Sequence, residues 1–101
     1  MRNLSREKLL AELRALRPEL EREGVSHLGL FGSRARGDNR QDSDIDLLMD
    51  LSPGESLSLL DIIGIGHRVE DRVGLPTHIV LRRSAPERFL TRTAPDEVSV
   101  F

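Results

Sequence analysis

The sequence predicts a small α/β domain, and three observations carry that reading. A short apolar run, Val25–Phe31, is closed by Gly32. A second run, residues 44–51, alternates strictly: Ile45, Leu47, Met49 and Leu51 fall on one side, and Asp44, Asp46, Leu48 and Asp50 on the other. Residues two apart share a strand face, so this is the signature of a strand with one buried side. Between it and a third apolar run at 76–81 lie Leu59, Ile62, Ile63, Val69 and Val73, spaced as one face of a helix.

Taken in order, the chain opens with Leu9, Leu13, Leu16 and Leu20, a helical stripe with one buried face. Ser5 is placed to cap its start, Pro18 to kink or restart it, and Gly24 to end it. Val25–Phe31 then reads as a buried strand. Residues 33–43 are polar and rich in Arg, Asp and Gly, with room for a short helix at the start. Strand 44–51 ends in the Ser52-Pro53-Gly54 turn. Ser56 is the expected cap of the next helix and Gly74 its C-terminal glycine, while Gly64 and Gly66 weaken it. The third strand is 76–81. A short helix follows Ser84, and residues 98–101 are extended. The 101 residues suit one domain, 1–101, on about three strands, with no repeat or linker.

Composition excludes several functions. Hydrophobic residues are 38% and charged residues 32%, as in water-soluble globular proteins. Aromatics are 3%, without Trp or Tyr, which leaves no platform for stacking bases. The net charge of −2 offers no basic field for a polyanion, so direct nucleic-acid binding is not expected. Absence of cysteine removes disulfides and thiolate metal sites. The start, Met1 through Lys8, lacks the pattern of a signal peptide. The richest apolar stretch, residues 57–65, is far shorter than the roughly 20 residues of a bilayer span. No membrane association and a cytoplasmic location are the expectations.

Two features carry chemistry. Asp44 and Asp46 project from one strand face with Cα atoms about 6.5–7 Å apart. Two carboxylates so placed repel unless a cation sits between them, and a pair of magnesium ions about 3.5–4 Å apart suits that opening. Magnesium takes hard oxygen ligands, so carboxylates and substrate phosphates form a reasonable shell. Gly32, without a Cβ, lets backbone approach a phosphate, and Ser33 adds an amide and a hydroxyl. Arg34 and Arg36 are placed to add charge to that pocket. If the first two strands pair antiparallel, Gly32-Ser33 faces Asp44 and Asp46, and phosphate site and metal site become one.

Leu30-Phe31-Gly32-Ser33-Arg34-Ala35-Arg36-Gly37, followed by Ser43-Asp44-Ile45-Asp46-Leu47-Leu48, resembles the minimal nucleotidyltransferase family of the DNA polymerase β superfamily. Ten residues separate Ser33 from Asp44, the spacing of that family's motif. The resemblance extends from about Val25 to Glu97-Val98. It implies a mixed sheet flanked by helices, Asp44 and Asp46 as metal ligands, and Gly32 and Ser33 gripping the triphosphate of ATP. The metal expected is Mg2+, two ions, with Mn2+ as an alternative. It further implies an antitoxin paired with a helical HEPN-domain toxin, and transfer of AMP to a hydroxyl of that partner.

One position departs from the family pattern. A third carboxylate is usual on the third strand, where this chain reads Thr77-His78-Ile79-Val80. His78 therefore joins Asp44 and Asp46 as a catalytic candidate: neutral imidazole accepts a proton but ligates magnesium poorly. Glu70 and Asp71 are nearby acids expected to face solvent, as are Asp42 and Asp50, and His27 and His67 have no constellation around them. The alternative to an enzyme is a catalytically impaired domain of the same fold that neutralises its partner by binding alone. Asp44 and Asp46 also have a blander reading, as charges that guard a strand edge.

Overall fold

The computed structural model describes residues 4–101. The first three residues, part of the N-terminal stretch read above for a signal peptide, lie outside the described residues. Along the chain run α1 (Arg6–Arg14), α2 (Arg17–Arg22), β1 (Val25–Phe31), α3 (Ser33–Arg36), β2 (Ile45–Leu51), α4 (Leu59–Val73), β3 (Thr77–Leu81), α5 (Glu87–Thr93) and β4 (Val98–Ser99). Single 3-10 turns, Arg82–Ser84 and Ala94–Asp96, flank α5.

Local chemistry accounts for most boundaries. Ser5 Oγ accepts the Lys8 N–H and caps α1. Pro18 stands in the first turn of α2, where its missing N–H costs nothing, so the N-terminal stripe divides into two helices. The cap of α4 is Ser58, not Ser56. Its hydroxyl accepts Asp61 N–H at 3.1 Å and the Asp61 carboxylate accepts Ser58 N–H at 3.0 Å, a reciprocal box that only the residue three before Asp61 can close. Gly74 ends α4 in the left-handed region, φ 82°, as a glycine there does most easily.

The sheet is mixed, with strand order β3-β2-β1-β4. β1 pairs antiparallel with β2 and β4, and β2 pairs parallel with β3 across the α4 crossover. The fourth strand is short. It pairs Gly29 with Ser99 and Leu30 with Val98, adding an edge to the three strands expected. One sheet face is aliphatic: Leu28, Leu30, Ile45, Leu47 and Met49 are sealed against Leu9, Leu13 and Leu20 from the first two helices and Ile65, Val69 and Val73 from α4. Full burial of such a side chain stabilises by about 1.5–3 kcal/mol. The other face carries, in rows across β1, β2 and β3, Phe31-Asp46-His78 and Gly29-Leu48-Val80. Phe89 of α5 packs edge-on against Phe31, with ring centres 5.5 Å apart. Among the described residues no helix is long and apolar enough to cross a membrane.

Candidate active site

Antiparallel pairing of β1 with β2 brings the end of one to the start of the other, and Phe31 sits opposite Asp46. The chain leaves β1 through Gly32, whose φ of 76° favours glycine. A Cβ built there falls 2.5 Å from Asp46 Oδ2, so the turn and the carboxylate fit together only without a side chain. The first intrahelical hydrogen bonds of α3 start at Ala35, whose N–H reaches Gly32 O, so the Ser33 and Arg34 amides precede them.

On the other side of β2, parallel register sets His78 beside Asp46. The imidazole bridges both carboxylates, with Nε2 3.4 Å from Asp44 Oδ2 and Nδ1 3.5 Å from Asp46 Oδ1. Its side chain is 67% exposed, against 27% for Asp46. Burial raises the Asp46 carboxyl above the ordinary aspartate range. The His78 imidazole pulls it back, and the Asp44 charge pushes it further up.

The two arginines part company. Arg34 is buried, 2% exposed, and does not face a phosphate pocket as expected. Its Nε donates to Ser43 O at 2.9 Å and its Nη2 to Gln41 O at 3.0 Å, so it holds the loop that delivers Asp44. Desolvation lowers its pKa, with the Asp42 and Asp44 charges opposing. Arg36 is exposed and lies between Asp38, at 3.0 Å, and Asp96, at 3.1 Å. The hydrogen bonds it donates to these two carboxylates raise its pKa.

Three further residues lie otherwise than expected. Asp50 is not free in solvent: its carboxylate takes Arg82 Nε at 3.1 Å and the His27 ring at 2.9 Å. His27 therefore does have a partner. Arg82 also reaches Glu97, whose carboxylate lies where a side chain on Gly29 would have to go. Glu70 does not simply face solvent, because its Oε2 accepts the Thr77 N–H at 3.0 Å and fixes the start of β3. Neither network was visible from spacing, because each joins residues from separate elements. Asp42 and Asp71 are exposed, as expected.

Two carboxylates around an opening kept free by Gly32 fit a hard divalent cation whose remaining ligands come from substrate oxygens. The imidazole adds a donor better suited to manganese than to magnesium. Among the described residues no three His, Asp or Glu side chains already form a metal cage.

The nucleotidyltransferase domain family matches residues 7–99. The protein adenylyltransferase MntA of Thermococcus cleftensis is 39% identical over 85 residues, 83% of this chain and 84% of that one. A solved structure assigned as a minimal nucleotidyltransferase is 30% identical with a TM-score of 0.80, covering 97% of this chain and 98% of the other. A chain in the solved complex of a tri-AMPylated Shewanella oneidensis HEPN toxin with an MNT antitoxin shares the fold. That match is 14% identical with a TM-score of 0.72, over 95% of this chain and 71% of that one. The match along nearly the whole chain, together with the Gly-Ser turn set against an Asp-x-Asp strand, places this protein in the nucleotidyltransferase domain family.

Proposed function

We propose that this chain is a protein adenylyltransferase of the antitoxin type, which transfers AMP from ATP to a hydroxyl of a HEPN-domain toxin and thereby neutralises it. The observation that carries the reading is the join across β1 and β2: Gly32, with no room for a Cβ, meets Asp46, and Asp44 stands two residues before it. The 39% identity to a protein adenylyltransferase supports the nucleotide, and the shared fold with an MNT antitoxin supports the partner.

In this reaction the acceptor oxygen attacks the α-phosphorus of ATP. The bond from that phosphorus to the bridging oxygen breaks, pyrophosphate leaves, and the hydroxyl proton passes to a base. A magnesium ion, when bound, supplies Lewis-acid stabilisation of charge on the transferring phosphoryl group. Asp44 and Asp46 are the residues that would hold the cation. The Gly32-Ser33 turn receives the triphosphate at amides that precede the first intrahelical bond. Arg36, steadied by Asp38 and Asp96, lends positive charge to the mouth of the site. His78 lies where it can take the proton once substrate displaces its contacts with the two carboxylates.

A second reading has one observation in its favour. His78 stands beside Asp46 where the family's third acid is expected, and neutralisation by contact alone needs no base. Incorporation of labelled ATP into the co-expressed HEPN partner separates the two. Labelling by wild type that is lost in Asp46→Ala supports transfer. Neutralisation without labelling in wild type, Asp46→Ala, His78→Ala and His78→Asp alike leaves contact as the mechanism. If His78 is only a poor replacement for the acid, His78→Asp raises labelling. If His78 is the working base, the same change lowers it.

A further inference from the structure

We infer that the groove between α4 and the outer edge of β3 is the surface on which the hydroxyl-bearing protein partner docks, and that the partner presents an apolar centre with a basic margin. The inference rests on the transfer reaction proposed above and names where its second substrate sits. The groove is lined chiefly by Leu59, Ile62, Ile63 and Gly66 of α4 and by His78 and Ile79 of β3, and encloses about 430 Å³.

Three arguments converge. The first is direction of attack. An in-line displacement has attacking and leaving oxygens on opposite sides of phosphorus. Strand order puts Gly32-Ser33 at the β1 side of Asp46 and His78 at the β3 side. Pyrophosphate therefore leaves toward β1, and the acceptor arrives over β3, where the groove begins. From Glu70, beside Thr77, to Leu59 the helix runs roughly 16 Å at 1.5 Å per residue, long enough to seat a segment of protein.

The second argument is exposure. Leu59 is 74%, Leu60 80% and Ile63 44% exposed, and these are the large apolar side chains left uncovered among the described residues. All three fall in the first half of α4, and Leu59 and Ile63 line the groove itself. A contiguous apolar patch beside a polar site is characteristic of a partner surface.

The third is charge. No Lys or Arg lines the groove. Glu70 lines one end, exposed Asp71 follows it on α4, and Asp44 and Asp46 stand beyond His78. An occupant with basic groups around an apolar centre matches this margin. A second copy of the chain pairing through the same groove does not, because that groove brings no Lys or Arg lining of its own.

The probe is a HEPN-domain toxin of the class proposed above, purified and titrated against wild type, Leu60→Glu/Ile63→Glu, Gly66→Ala and, as a control on exposed α2, Arg22→Glu. The double variant weakens binding by about 30-fold or more, as loss of an interface anchor does. In the transfer assay it raises the KM for the partner while ATP binding is unchanged. Gly66→Ala cannot act by unfolding: its Cβ makes an ordinary 3.8 Å contact with Ile79, and alanine favours the helix. It narrows the groove and weakens the partner less than the double variant does, while Arg22→Glu leaves binding intact. No binding by wild type, binding by the double variant within twofold of wild type, or a wild-type dimer that the double variant splits each overturns the inference. Weakened docking in the double variant with no labelling in any protein keeps the docking surface and removes the transfer reaction.

Discussion

The two faces of the sheet obey different rules. On the helix-covered face, Leu28, Leu30, Ile45, Leu47 and Met49 are fully buried, and each is held by many neighbours. On the other, Asp46, His78 and Asp50 remain partly exposed, and polar pairs rather than apolar area fix their positions. Strand alternation produces both from the same seven residues of β2: the odd positions pack the core, while of the even positions Leu48 is buried and Asp46 and Asp50 carry ionic pairs. Function and stability are therefore separable in this protein to a degree that single substitutions can measure.

The largest effect is expected from Asp46→Asn. Transfer falls by about 10³-fold or more, since in the proposed reaction both cation binding and charge stabilisation would depend on that carboxylate. The fold responds in the opposite sense. Burial raises the folded pKa of Asp46 above its unfolded value, so between the two values the native state holds more protons and stability falls as pH rises. At neutral pH the charged carboxylate is thus a cost in the apo protein. Asp46→Asn raises Tm there, and the gain shrinks as pH drops through the Asp46 pKa. Thermal melts of both proteins across pH 3–8 check this, in roughly the range where carboxyls titrate; a lower Tm for the variant at neutral pH would show that the open face stabilises the fold.

Leu47→Ala, one residue along on the other face, reverses the pattern. It leaves a cavity in the core and costs about 3 kcal/mol in denaturant unfolding. Below its melting point the variant retains transfer within an order of magnitude. Arg34→Met probes the boundary between the faces. Losing its bonds to the part-buried Ser43 O and Gln41 O removes two charge-assisted hydrogen bonds and costs about 1–2 kcal/mol. The loop that delivers Asp44 then loosens, so KM for ATP rises along with the loss of stability. A pure loss of nucleotide affinity with unchanged unfolding would instead return Arg34 to the phosphate pocket. The smallest effect is a gain. Nothing lies within 4 Å of a Cβ built on Gly64, so Gly64→Ala stabilises α4 by about 0.5–1 kcal/mol without touching transfer.

What could be read from the chain before folding follows the same division. β1, β2 and α4 were legible because their apolar residues repeat with the period of the element that buries them. The break at Pro18 and the stop at Gly74 were legible because single residues set them. Gly32-Ser33 and Asp44-Ile45-Asp46 were legible as a pair because their spacing is that of the family motif they resemble. The fates of Arg34, Asp50 and Glu70 were not. Each depends on a partner in another element, Ser43 and Gln41 for the first, Arg82 and His27 for the second, Thr77 for the third, and no local period encodes such a meeting. The cap of α4 was misplaced by two residues because Ser56 and Ser58 look alike until Asp61 is seen to close the box. The β4 pairing was missed because two residues, Val98 and Ser99, are too few to show alternation.

The central claim is that Gly32, Asp44 and Asp46 form one site for nucleotidyl transfer. The most direct measurement uses ATP labelled either at the α- or at the γ-phosphate, incubated with wild type or Asp46→Asn and the HEPN partner. The account predicts that wild type moves the α-label, and not the γ-label, onto the partner with release of pyrophosphate, and that Asp46→Asn moves neither. Equal labelling by the two proteins, or transfer of the γ-label, would contradict it.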